Sequence, residues 1–293
     1  MNLPRVGIWS SVFGLSSAAE ARRTVEAIEE LGFGVLWIPE GVGSKEAMSQ
    51  AAMLLGWTER IVVATGIANI YARDPMAMAN SGRALADAYP GRFLLGIGVS
   101  HAPSVATRGG AYGRPVTAMR AYLDAMDEAL YRAPAPPEAP RVLAALGPRM
   151  LELAAERTLG AHPYFVPVSH TAFARETMGP GPLLAPEQGV VLATDASTAR
   201  RLARSHMTYY LELDNYRRNL LRSGFSEDDV AGNGSDDLVD AIVAWGEVDN
   251  VAARVRDHLD AGADHVCVQL LGEDPTTLDL DALRRLAPAL LAL

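Results

Sequence analysis

Histidine, glutamate, tryptophan and glycine stand where strand-like runs of this chain end, and they are the residues whose types suit chemistry. His101 closes the segment Gly96-Ile97-Gly98-Val99-Ser100-His101. An imidazole titrates near neutrality, so it suits proton transfer; a rim histidine that only hydrogen-bonds backbone is the competing reading. Glu40 follows Leu36-Trp37-Ile38-Pro39 and is placed to bind substrate or exchange a proton, or else to pair with a neighbouring arginine. Trp9 ends Val6-Gly7-Ile8-Trp9 and either walls a ligand pocket or packs under a rim. Gly66-Ile67-Ala68-Asn69 follows the run Ile61–Thr65. Small residues there let backbone lie against a planar ring, although an ordinary turn has the same composition.

Two further segments suit an anion. Gly147-Pro148-Arg149-Met150 opens a helix after a strand, where free N–H groups and an arginine can meet a phosphate. Gly160-Ala161-His162 and Ser169-His170 form a second polar stretch, with simple helix capping as the alternative. The glycines at Gly96 and Gly98 are no dinucleotide fingerprint, because they lie inside a strand end and open no helix. No HExxH, GxSxG or CxxC pattern occurs, so no metal site is expected. Cys267, the one cysteine, sits between Val266 and Val268 and reads as a core residue. Lys45 is the only lysine, which argues against a Schiff-base aldolase. His206, His258 and His265 fall in or beside late helical stretches, where surface roles are expected.

The elements that must position these residues alternate. Apolar runs at Val6–Trp9, Val35–Ile38, Ile61–Thr65, Phe93–Ile97, Val142–Leu146, Tyr164–Val166, Val190–Ala193 and Val266–Leu270 predict eight strands. Helical patterns separate them: Ser17 and Glu20 form a capping box, Asp74-Pro75 supplies an N-cap and an N1 proline, and Pro90-Gly91 ends that helix. Ser100–Arg114 reads as a polar loop, and Ser197–Asp260 as extra helices between the last two strands. Strands apolar on both faces imply a buried parallel sheet. Eight βα units favour a closed (β/α)8 TIM barrel, one domain over residues 1–293, with its site at the strand C-termini.

A net charge of −9 argues against general affinity for nucleic acid or anionic membrane, while an anionic cofactor needs only local donors. No signal peptide is apparent and no apolar run reaches about 18 residues, so a cytoplasmic protein is expected.

The segments Leu36–Glu40, Ala64–Pro75, Pro90–His101, Gly160–Tyr164 and Ala261–Val266 resemble the luciferase-like monooxygenase superfamily, and look closest to its branch of coenzyme F420-dependent oxidoreductases. The resemblance spans almost the whole chain. It implies a deazaflavin, F420, which carries a phosphate and a polyglutamate tail, with its ring against Gly66-Ile67, where related barrels have a non-proline cis peptide. It also implies that Gly98, Ser100 and His101 line the same pocket, with Gly147–Met150 and Gly160–His162 near the phosphate or tail. The activity implied is hydride transfer to or from a small organic substrate. An FMN-dependent monooxygenase on the same barrel is the first alternative, and a catalytically silent ligand-binding barrel the second. A homodimer is also implied. Sugar-phosphate dehydrogenases of the branch place histidine or aspartate where this chain has Glu40, which argues against a sugar-phosphate substrate.

Overall fold

Short runs of β-branched, aromatic and leucine side chains form strands here because each run buries both faces, and amphipathic helices cover the outer one. The computed structural model describes Met1 and residues 3–293. In chain order the elements are β1 (Val6–Trp9), α1 (Val12–Leu15), α2 (Ala18–Glu30), β2 (Val35–Ile38), α3 (Ala47–Trp57), β3 (Val62–Thr65), β4 (Ala68–Asn69), α4 (Pro75–Ala88), β5 (Phe93–Gly98), α5 (Ala102–Thr107), α6 (Pro115–Asp127), β6 (Arg141–Leu143), α7 (Pro148–Arg157), β7 (Gly160–Ala161), α8 (Val168–Met178), β8 (Leu183–Leu184), β9 (Glu187–Val191), α9 (Ala196–Leu211), α10 (Asp214–Arg222), α11 (Asp236–Ile242), β10 (Val243–Trp245), α12 (Val248–Asp260), β11 (Val266–Leu270) and α13 (Leu280–Leu291).

The strands pair in parallel in the order β10-β9-β11-β1-β2-β3-β5-β6-β7-β8, with β4 against β5. The two ends of this path meet, because only Ala185 and Pro186 separate β8 from β9. Hydrogen bonds of 2.9 Å from Ala185 N to Ala161 O and from Glu187 N to Pro163 O carry the pairing with β7 across that break. β8 and β9 are thus one stave, and eight staves close the TIM barrel that the sequence predicts. Side chains alternate along each stave. Trp9, Val35, Trp37, Ala64, Leu94, Val142 and Cys267 fill the interior, while Ile8, Leu36, Ile38, Val63 and Val268 join the core under the outer helices. A separate core of Phe165, Met207, Leu211, Tyr216, Leu220 and Leu238 lies beneath α9–α11.

The capping box at Ser17–Glu20 and the Asp74 cap with Pro75 at N1 form as predicted. Four expectations need correction. The sixth stave is Gly160–Ala161, not Tyr164–Val166. It needs glycine: a Cβ on Gly160 would stand 1.9 Å from Leu183 O. Phe165, at φ +58°, breaks any extended run there. The seventh stave begins at Leu183 and ends at Val191, so it does not span Val190–Ala193. The stretch Ser197–Asp260 holds extra helices as expected, and also a strand, β10, paired to β9. The segment Ser100–Arg114 contains the short helix α5.

Candidate active site

A cavity of about 1210 Å³ opens over the C-terminal ends of the staves. Its floor at β3 is built by backbone. The Gly66–Ile67 peptide is cis, the bond the resemblance singles out. Gly66 N donates to Ile38 O at 2.7 Å and Glu40 N to Ile67 O at 3.3 Å. The Glu40 carboxylate accepts from Asn69 N at 2.7 Å and is paired with Arg73, itself bonded to Glu46. Glu40 is therefore bound to both sides of the turn that follows β3. Gly98 is glycine for a steric reason: a Cβ there would lie 2.7 Å from the Ile67 side chain.

His162 closes the floor from β7. Its ring stacks on Trp37 with centroids 4.3 Å apart. Its Nδ1 donates to Ala185 O at 2.7 Å, and burial lowers its pKa to about 4, so the ring is neutral and Nε2 is a bare acceptor. That buried Nε2 has no partner among the described residues, and His162 lines the cavity. Trp9 stands beside it, with Nε1 donating to Gly66 O at 3.3 Å and its ring 5.0 Å from Tyr164.

Tyr164 is a hub. Its hydroxyl donates to Gln269 Oε1 at 2.8 Å and lies 3.0 Å from the Tyr210 hydroxyl and 3.4 Å from His206 Nε2. Burial pushes the Tyr164 phenol well above its usual range and lowers His206 to about 4. Behind the hub, outside the cavity wall, Glu187 is buried. Its Oε2 accepts from Phe165 N at 3.2 Å and its Oε1 has no partner among the described residues. Burial raises it to about 8, so it is protonated at neutral pH. The hub and the histidines thus present neutral groups.

His101, after β5, meets α10. Its Nδ1 lies 3.2 Å from Asn215 Oδ1 and its ring 5.4 Å from that of Tyr216. Burial lowers its pKa, and the Asn215 bond opposes that shift in part. The neighbouring Ser100 has φ +58°, a conformation non-glycine residues adopt rarely and at a cost. On the neighbouring stave, Gly147 caps the N-terminus of α7, and Arg149, Arg218 and Arg222 line that part of the wall.

Of the residues singled out by sequence, Trp9, Glu40, Gly66, Ile67, Asn69, Ser100, His101, Gly147, Pro148, Arg149, Met150 and His162 line this one cavity. Ala68, Gly98, Gly160 and Ala161 do not. They are backbone-paired in β4, β5 and β7 and sit behind the wall. Glu40 takes the ion-paired alternative. His170 is buried and its Nε2 donates to Leu146 O at 2.9 Å, so it is no phosphate ligand. The surface roles expected for three histidines are overturned. His206 lines the cavity. His258 is buried between Thr171 Oγ1 and Gln188 Oε1. His265 donates to Pro4 O and accepts from Trp37 Nε1. Tyr164, Tyr210, Tyr216, Gln269, Arg218 and Arg222 were missed. Tyr164 and Gln269 stand at strand ends, and the aromatic–arginine run at Tyr209-Tyr210 and Tyr216-Arg217-Arg218 was the signal for the residues of α9 and α10. Among the described residues no cluster of His, Cys, Asp and Glu could hold a metal ion, and no helix is long and apolar enough to cross a membrane.

The closed parallel barrel carries its cavity over the strand C-termini, the face where barrels of this architecture place their sites. The luciferase-like monooxygenase family model matches residues 4–265, so the chain belongs to that family. A 5,10-methylenetetrahydromethanopterin reductase from Methanolobus tindarius is 24% identical over 280 residues, 81% of this chain and 86% of the relative. An F420-dependent secondary alcohol dehydrogenase, solved with an F420–acetone adduct, superposes with a TM-score of 0.77 at 15% identity, covering 99% of each chain. The oxygenating constituent of 3,6-diketocamphane monooxygenase from a Pseudomonas putida plasmid, solved with FMN, gives 0.70 at 16% identity and 98% of each chain. The family comprises oxidoreductases and monooxygenases, and neighbours on this fold hold F420 or FMN.

Proposed function

We propose that this protein is an F420-dependent oxidoreductase that moves a hydride between the deazaflavin and a small organic substrate. The observation that carries this reading is the basic end of the cavity. In a chain of net charge −9, Arg149, Arg218 and Arg222 gather beside the exposed N-terminus of α7. One phosphate is satisfied by a helix N-terminus and a single arginine. Arg218 is ion-paired with Asp214 at 3.0 Å, so Arg149 and Arg222 are the two guanidinium groups that support a site larger than one phosphate, as a phosphate followed by a carboxylate-bearing tail requires.

The rest of the cavity fits the ring. The unpartnered Nε2 of His162 offers a buried acceptor to a ring N–H, and a buried acceptor left unsatisfied is costly. Gly66 and Ile67 supply a floor of backbone and Trp9 a wall. The deazaflavin, when bound, supplies hydride chemistry, and the protein supplies orientation and water exclusion. His101 is the residue placed to hold or release the substrate proton. With Asn215 Oδ1 on its Nδ1, the neutral ring keeps Nε2 as the proton acceptor. Glu40 holds the floor through Asn69 and Arg73. A homodimer in the cytoplasm belongs to the same reading.

Titration with F420 and, separately, with the deazaflavin core lacking phosphate and tail tests the carrying observation. The core is expected to bind at least tenfold more weakly, and Arg149→Ala with Arg222→Ala to erase the difference. Equal binding of the two ligands would remove the argument from the basic end. Anaerobic hydride exchange with F420, set against oxygen consumption with reduced FMN, separates this reading from the monooxygenase one.

A further inference from the structure

The barrel's closure gives the cavity two opposite ends. Counting staves from β1, β6 is the fifth of eight and β7 the sixth, so the segments after β6 and β7 stand across the barrel from those after β1 and β2. The basic end lies after β6, at the start of α7. The other end is α1, after β1, together with the loop after β2 that carries Val42. Backbone ties the two, with Lys45 N donating to Gly14 O at 3.1 Å.

That second end carries exposed apolar side chains. Leu15 on α1 is 54% exposed and Val42 49%, and both line the cavity beside Val12. A third large exposed apolar side chain, Tyr209 at 49%, also lines it. Isolated exposed apolar residues mean little, but a set gathered on one cavity mouth marks a binding surface.

The ionic side chains at this end are already hydrogen-bonded within the protein. Glu40 and Glu46 are paired with Arg73. The Lys45 ammonium donates to Phe13 O and Ser16 O, and Arg108 to Gly41 O at 3.3 Å. An ionic substrate group would have to compete with these bonds and would sit against leucine and valine.

The geometry points to an uncharged, mainly apolar substrate that binds across Leu15 and Val42, opposite the anionic end. This rests on the proposed function for its division of the cavity between cofactor and substrate. Such a substrate gains affinity with each methylene it buries, up to about fourfold per group.

The test is calorimetric titration of the F420-loaded protein, and of the cofactor-free chain, with 2-butanone, 2-hexanone and 2-octanone, and with hexanoate as the charged counterpart. Affinity is expected to rise at least tenfold from 2-butanone to 2-octanone, with hexanoate at least tenfold weaker than 2-hexanone. Leu15→Asp and Val42→Asp are each expected to remove most of the chain-length gain. Both side chains are exposed, so an unchanged melting temperature and unchanged F420 affinity would show that the fold and the cofactor end are intact. A chain-length series without a trend, hexanoate binding as well as the ketone, or aspartate variants that keep the gain would overturn the inference. Failure of F420 to bind, with the ketone trend intact on the cofactor-free chain, would overturn the cofactor reading and leave the apolar subsite standing.

Discussion

The buried carboxylate of Glu40 accepts a 2.7 Å hydrogen bond from the backbone N–H of Asn69, and that bond ties the residue after the second stave to the turn after the third. Arg73 neutralises Glu40 from the far side, and the Tyr122 hydroxyl donates to Arg73 O at 2.8 Å. The carboxylate is thus bound on both sides and positions the floor of the cavity.

Glu40→Ala is expected to destabilise the protein by about 3 kcal/mol, because removing one partner of a buried pair strands the other. The Glu40 side chain is 3% exposed and that of Arg73 10%. Urea denaturation measures the loss. A mutant as stable as the parent would mean that the pair braces nothing, and would return Glu40 to the list of free acid–base groups.

His162→Phe keeps an aromatic ring over Trp37 and removes Nε2. It is expected to weaken F420 binding roughly tenfold, the worth of about one hydrogen bond to a buried group. Fluorescence titration of parent and variant compares the two dissociation constants. Equal constants would show that the unpartnered nitrogen does not meet the cofactor.

The buried histidines and Glu187 set the pH range of stability. Burial lowers His162, His170, His206 and His265 to about 4 and His258 to about 3, against an ordinary 6.5. The unfolded chain binds these protons first, so the stability their neutral forms contribute is present above pH 6.5 and lost as pH falls toward 4. Glu187 runs the other way. Raised from 4.5 to about 8, it keeps a proton that the unfolded chain releases, so its contribution is present below pH 4.5 and lost as pH rises toward 8. Five groups outweigh one below pH 6.5, and Glu187 acts alone from there to pH 8. The melting temperature should therefore peak near pH 6.5. Glu187→Gln should flatten the decline to pH 8 and steepen the fall from pH 6.5 to 4.5, where Glu187 opposes the histidines; a decline of the same slope to pH 8 in the variant would exclude Glu187 as its source.

The barrel was legible because six staves carry contiguous apolar runs and their helices carry explicit signals, such as Ser17 with Glu20. The sixth stave was not, because Gly160–Ala161 has no apolar pattern, and the neighbouring Tyr164-Phe165-Val166 imitates a strand while filling the second core. β10 was hidden because Val243-Ala244-Trp245 continues the apolar face of α11. At the site, attention to strand ends found Trp9, Glu40, Gly66, His101, Gly147 and His162. That approach does not reach residues that fold over the mouth from α9 and α10, so Tyr210, Tyr216, Arg218 and Arg222 escaped it. Glu187 had a readable signal, a carboxylate leading the run Gln188-Gly189-Val190-Val191, but its burial depends on tertiary packing.

Arg149, Arg218 and Arg222 should make cofactor binding salt-dependent, since exposed charge pairs weaken as ionic strength rises. Raising salt from 50 to 500 mM is expected to weaken F420 binding several-fold in the parent and less in Arg222→Ala. Parallel salt curves would mean that Arg222 takes no part in holding the anion.

Parallel titration of the cofactor-free protein with F420 and with FMN tests the central claim most directly. Saturable F420 binding at least tenfold tighter than FMN is expected, because Arg149 and Arg222 offer the tail more positive charge than one phosphate needs. Tighter binding of FMN would contradict it and make the protein a flavin enzyme of the same family. Binding of neither would leave a barrel with the family's fold and no redox cofactor.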